Sequence, residues 1–196
     1  MAVPKKIINP APYPKLNIKL SRPLKKVIRY IEKVNSGLKE RDKVKYEIIE
    51  HKTVYTAFDK AQTLKIKPNI VGKTLILKTD KDLIVSLIPG NKNLDKNKLK
   101  KIINSWRKKN NQKPVKKIEF ISERLMKNKF KGVKVGAVPP FGSLFGFLTF
   151  IEKSLLNAPK IVVSGGGYNW SIKISPASLK KLIPNLIKGS FTKAKK

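Results

Sequence analysis

The sequence predicts one mixed α/β domain, in which a curved and largely antiparallel sheet is flanked by helices. Three observations lead there. Segments of helical period are interleaved with short strand-like runs, several of them close enough to pair as hairpins. The 40% hydrophobic share of 196 residues is enough for a full core. No internal repeat and no clean boundary divides the chain. The domain is expected over residues 21–188, between a basic, proline-rich arm (1–20) and a basic tail (189–196).

Each element follows from local pattern. The arm holds four prolines and no sustained period, so it reads as extended. A helix begins near Pro23, where Leu24, Val27, Ile28, Ile31 and Val34 form one apolar face and Gly37 supplies the stop. Val44, Tyr46 and Ile48 alternate, which predicts a strand over Lys43–Glu50 leading to His51. Thr53 is placed to cap a second helix with Val54, Ala57, Phe58, Ala61 and Leu64 inward. Lys73–Lys78 and Leu83–Ile88 form a hairpin around Thr79-Asp80-Lys81-Asp82, ended by Pro89-Gly90.

Asp95 opens a third helix with Leu99, Ile102, Ile103 and Trp106 inward, and the basic stretch Arg107–Lys113 reads as a loop. A strand at Ile118–Ile121, a short helix from Ser122 and a strand at Val133–Val138 precede the loop PPFGSLFG. Phe147–Ile151, Ile161–Ser164 and Ser171–Ile174 read as strands. Ser175-Pro176 caps a last helix that runs to about Pro184.

Composition narrows the chemistry. The chain has no cysteine and one histidine, His51, which removes disulfides, thiol nucleophiles and any site that needs two imidazoles. Its formal net charge is +33, a field that attracts polyanions, of which nucleic acid is the commonest in a cell. An anionic membrane surface is the alternative partner. That would require a basic helix with an exposed apolar face, and the apolar face of Leu24–Val34 is better used in the core. The N-terminus lacks the apolar core of a secretion signal. The uncharged stretch Ala137–Ile151 is short and carries Pro139 and Pro140. The expectation is a soluble cytoplasmic protein without membrane contact.

Several local motifs carry less than they promise. Gly72-Lys73-Thr74 is not a phosphate loop, because position 67 is lysine and a strand follows. Asp80 and Asp82 are turn residues rather than a carboxylate dyad. Gly165-Gly166-Gly167 fails the dinucleotide pattern, yet glycines at a strand exit let a ligand approach the backbone. In Gly136-Ala137-Val138-Pro139-Pro140-Phe141-Gly142, prolines fix a loop that glycines allow to turn, which suits a preorganised pocket wall.

In chain order, His51, GKTLIL at 72–77, IPGNKNLD at 88–95, KFKGVKVGAVPPFG at 129–142, EKSLL at 152–156 and VVSGGGYNWSI at 162–172 resemble the YbaK-type aminoacyl-tRNA deacylases. That family includes the editing domain found in or beside prolyl-tRNA synthetases. The resemblance covers roughly Leu24 to Ile183. It implies an enzyme that hydrolyses the ester between a wrong amino acid and tRNA, a small residue on tRNA-Pro or a similar tRNA being the first expectation. By resemblance Lys73 is the catalytic lysine. His51, Gly136, Pro139, Pro140, Phe141, Gly142, Gly165, Gly166 and Gly167 are the substrate-binding positions. The chain departs from the family pattern at Lys131, Pro139 and Glu152.

The implied chemistry needs no cofactor and no metal. An activated ester requires a seat for the oxyanion and a positioned water, and in the family the terminal ribose hydroxyl is thought to assist. Mischarged tRNA is the expected partner, with an aminoacyl-tRNA synthetase as a second candidate. The rival reading is a non-catalytic RNA-binding or ribosome-associated protein that has kept the fold.

Overall fold

Interleaved hairpins and helices become two larger sheets joined at a seam, with a third sheet of two short strands. The computed structural model describes residues 6–8 and 20–195. The expected arm therefore lies outside the described residues, apart from residue 20 and a short strand, β1 (Lys6–Ile8), which pairs antiparallel with β2 (Tyr46–Glu50). The first sheet has the order β1-β2-β9-β8, with β8 at Ile161–Ser164 and β9 at Trp170–Ile174. The second has the order β10-β7-β4-β3-β6, built from β3 (Gly72–Thr79), β4 (Leu83–Pro89), β6 (Ile118–Phe120), β7 (Leu148–Glu152) and β10 (Ile187–Gly189). Its β4–β7 and β7–β10 pairs are parallel, so the fold is mixed α/β as expected. A parallel bridge between Val71 and Val162 links the sheets.

Local signals set the helix starts. Helix α1 (Arg22–Ser36) is capped by the Ser21 hydroxyl on the Leu24 amide and stops at Gly37. Its inner face, Leu24, Val27, Ile28 and Ile31, is buried in the main core with Ile48, Phe141, Val163, Trp170 and Leu179. Asp95 caps α3 (Lys96–Lys109), whose Leu99 and Ile103 cover the second sheet beside Leu77 and Phe150. Ser122 caps α4 (Glu123–Lys129), and Ser175 caps α5 (Pro176–Leu182).

Three expectations change. Helix α2 (Ala57–Leu64) starts at Thr56, not Thr53, because His51 and Val54 first donate their amides to the carbonyls of Asn169 and Tyr168 and hold the chain extended. Its Phe58 is 51% exposed rather than inward. Val133–Val138 is no strand: Gly132 and Gly136 adopt φ of 83° and 78°, and the Ala137 amide closes a turn onto Lys134. The basic stretch after the last helix is more than a tail. Beyond β10, β11 (Thr192–Ala194) pairs antiparallel with β5 (Lys92–Leu94), and Phe191 is fully buried against α3.

Candidate active site

A cleft of about 300 Å³ opens at the Val71–Val162 seam. Gly72 is required there, since a Cβ would stand 2.8 Å from Leu87 Cδ1 and 3.0 Å from Val163 Cγ1. The first residues of β3 line one side, Gly136–Val138 a second, and Ser164, Gly167 and Tyr168 a third. Tyr55, Thr56, Ala57 and Lys60 complete it, with Tyr55 70% exposed and edge-on to Tyr168 at a centroid distance of 4.9 Å.

The two loops that frame the cleft are stitched together. Ser164 Oγ donates to the Ala137 carbonyl at 2.6 Å, Tyr168 Oη to the Val135 carbonyl at 2.7 Å, and the Lys134 amide to the Gly166 carbonyl at 3.0 Å. Such cross-loop bonds preorganise a site, because no loop has to be ordered when the substrate arrives.

Lys73 lies on the lining, and its Nζ donates to the Lys92 carbonyl at 3.0 Å. Burial, and secondarily the charge of Lys195, lower its pKa. Sequence reading missed a second cation. Lys60 is largely buried on α2, takes part in none of the ion pairs among the described residues, and is lowered by desolvation to a pKa of about 8. Thr74, also on the lining, has a buried Oγ1 with no hydrogen-bond partner among the described residues. An unpaired ammonium and an unpaired hydroxyl in one cleft are costly unless a ligand satisfies them. Among forty lysines and many threonines, nothing local in the sequence marks these two.

Only Lys73, Gly136 and Gly167 of the predicted positions reach the lining. His51 is buried behind it: Nδ1 lies 2.8 Å from the Lys52 carbonyl and must donate, so Nε2 accepts from Ser171 Oγ at 2.9 Å. Desolvation lowers its pKa and keeps the ring neutral, with both nitrogens engaged. Pro139, Pro140, Phe141 and Gly142 form a buried backing, where the Gly142 amide donates to Thr149 Oγ1 at 3.1 Å. Gly165 and Gly166 pack against Leu24, Trp170 and Pro23.

The lining contains no carboxylate, histidine or thiol, yet it holds two lysines in a preformed cleft on a chain of charge +33. Such an arrangement can stabilise negative charge that develops on a substrate carried by a polyanion. Residues 51–182 match the family model described as the aminoacyl-tRNA editing domain, and the chain belongs to that family. It is thus an aminoacyl-tRNA editing protein, a deacylase that hydrolyses mischarged tRNA.

Solved structures share the fold. A crystal structure assigned as a trans-editing enzyme for prolyl tRNA synthetase aligns with a TM-score of 0.70 at 19% identity, over 90% of this chain and 100% of that one. A hypothetical protein aligns at 0.64 with 22% identity, over 86% of this chain and 99% of its own. A scaffold from computational epitope grafting aligns at 0.68 with 19% identity, over 90% of this chain and 100% of its own. No curated protein matches the sequence. Among the described residues, no helix is long and apolar enough to cross a membrane.

Proposed function

We propose that the protein acts in trans, in the cytoplasm, on the ester of a small amino acid wrongly joined to a tRNA, with tRNA-Pro the first candidate. The observation that carries this reading is the presence of Lys60 and Thr74, neither with a side-chain partner among the described residues, on a cleft of about 300 Å³. A cleft at the lower end of ligand-pocket volumes suits a small acyl group with the terminal ribose, not a bulky side chain. The neighbour assigned to prolyl tRNA synthetase supports the tRNA and makes a synthetase a candidate partner. The catalytic unit runs from residue 21 through β11, because Phe191 is part of its core.

In the proposed reaction a water oxygen adds to the ester carbonyl, and the tetrahedral oxyanion is held by lysine charge, the Thr74 hydroxyl and loop amides. The carbon–oxygen bond to ribose then breaks, and one water proton ends on the ribose oxygen. With His51 sequestered and no acid on the lining, the neighbouring ribose hydroxyl is the group placed to relay that proton. Editing of this kind serves pockets that gain only about 1–3 kcal/mol per methylene in choosing among amino acids.

Incubating the protein with alanyl-, seryl-, cysteinyl- and prolyl-tRNA-Pro under single-turnover conditions tests the reading. Rapid loss of one small non-cognate ester, with prolyl-tRNA spared, is the expected result. Equal slow decay of all four at the uncatalysed rate would support the RNA-binding alternative.

A further inference from the structure

Next to the cleft lies a larger concavity of about 980 Å³ that the chemistry above does not use. One wall is the outer face of α1, which contributes Arg22, Lys25, Lys26, Arg29 and Lys33; the other is formed by Gly132, Ser143 and Leu144. No acidic residue lines it, and Glu32, the one acid of α1, belongs to a different surface pocket. Lys26 fixes the groove's shape by donating from Nζ to the Lys131 carbonyl at 2.9 Å and lying 4.7 Å from the Phe145 ring centroid.

The arginines single this face out from a surface that is basic almost everywhere. Of the chain's five, Arg41 and Arg107 are each paired with an aspartate, whereas Arg22, Arg29 and Arg124 enter none of the ion pairs among the described residues, and two of those three lie on α1. Arg22, Lys25, Arg29 and Lys33 are exposed and follow one another at three- or four-residue steps. From Arg22 to Lys33 the helix rises about 16 Å, enough to face several consecutive phosphates of one strand.

Groove and cleft are lined from neighbouring segments. Gly167 lines the cleft, while the neighbouring Gly166 would place a Cβ 3.0 Å from Pro23 Cβ at the start of α1. Gly136 lines the cleft, and Gly132, four residues earlier on the same loop, lines the groove. A strand with its 3′ end in the cleft therefore meets α1 within a few nucleotides. The inner face of α1 is sealed in the core, and the apolar residues left on the groove are Tyr30, Val34 and Leu144, beside five basic side chains.

We infer that the outer face of α1 is the docking groove for the phosphate backbone of the RNA stem that carries the ester. This deepens the aminoacyl-tRNA reading of the cleft and rests on it. Arginine and lysine on such a face set register and affinity without reading bases.

The experiment compares the wild type with R22Q/K25Q/R29Q/K33Q, with the half-variants R22Q/K25Q and R29Q/K33Q, and with a control, K98Q/K101Q/K108Q/K109Q, that removes the same charge from α3. Binding of uncharged tRNA is measured across a salt series, and hydrolysis is measured on an aminoacyl trinucleotide too short to reach α1. The groove variant should bind tRNA at least about tenfold more weakly. Its log Kd–log salt slope should be shallower by up to about 3–4 units, since each phosphate contact contributes close to one. The half-variants should show intermediate losses, the control should stay within about threefold of wild type, and trinucleotide hydrolysis should not change. Wild-type tRNA binding by the folded groove variants, or an equal loss in the α3 control, would each overturn the groove. Failure of every protein to cleave the trinucleotide would instead overturn the reading of the cleft, independently of the binding series.

Discussion

Glu152 Oε2 accepts the backbone amide of Phe191 at 2.7 Å, inside the protein. The carboxylate ends β7, beside the register pair Gly189↔Glu152 with the parallel strand β10, and so pins the final segment where that segment turns toward β5. The Phe191 ring it positions is completely buried with Leu99, Ile103 and Phe150.

Phe191→Ala should therefore lower stability by about 3–5 kcal/mol, the range for a buried aromatic truncated in a core. Glu152→Ala should cost about 1–3 kcal/mol through the orphaned amide, and Glu152→Gln less, because an amide oxygen can still accept. Urea denaturation of the three variants checks the order. Wild-type stability for F191A would show that the last strand is not part of the cooperative unit.

Lys73→Ala should reduce deacylation by roughly 10²–10³, by analogy with removal of one oxyanion donor. Affinity for uncharged tRNA should barely change, since the chain carries 45 basic residues. Turnover near that of wild type in a folded mutant removes Lys73 from the chemistry.

Lys60 gives a pH signature. Its pKa of about 8 means that the ammonium persists below that pH and is lost as pH rises through it. If its charge stabilises the oxyanion, the rate ratio of wild type to Lys60→Met should be about 10–10² below pH 8 and fall toward one above it. Lys60→Arg should keep its advantage across the range, because arginine stays protonated. A ratio that grows with pH would instead mark neutral Lys60 as a base. Stability should move the opposite way from activity. The folded pKa lies below the unfolded value of 10.5, so the burial penalty is full below about 8 and vanishes above 10.5. K60M should melt higher than wild type at pH 7, and the gap should close in strong alkali.

His51→Ala should be more harmful to stability than to catalysis. It leaves Ser171 Oγ buried without its partner, a loss of about 1–3 kcal/mol. A charged tRNA lacking the neighbouring hydroxyl on its terminal ribose should bind normally and react more slowly than native substrate reacts with H51A. Abolished hydrolysis in folded H51A, with the deoxy substrate at full speed, would make His51 the base.

Much of the scaffold was legible because it is encoded locally. Pro23 with Gly37, Asp95, Ser122 and Ser175-Pro176 mark helix ends by local chemistry that needs no distant partner, and the β3–β4 hairpin announces itself by apolar runs around a polar turn. Val133–Val138 misled because its alternation is that of a strand, while Gly132 before it and Gly136 within it take positive φ. Phe191 and β11 were hidden by the lysines around them, being too short to show a period. Three of the motif positions reach the candidate cleft, and the sequence did not distinguish them from those that stand behind it. Lys73, Gly136 and Gly167 line the cleft, whereas His51 and Phe141 stand behind it, and side-chain direction there is decided by packing across the seam.

The Val71–Val162 bridge joins residues about ninety positions apart, and the cleft exists only where they meet. No fragment holding one sheet alone can contain a working site, so deacylation is a reporter of completed folding. Refolding followed by activity should lag refolding followed by helix content, because loop-closure entropy makes such distant pairings slow to form. During synthesis the chain stays catalytically silent until β8 has emerged. A newly made molecule therefore passes from no editing to full editing in one late step, without a partly competent stage in which a half-built pocket could hydrolyse correctly charged tRNA.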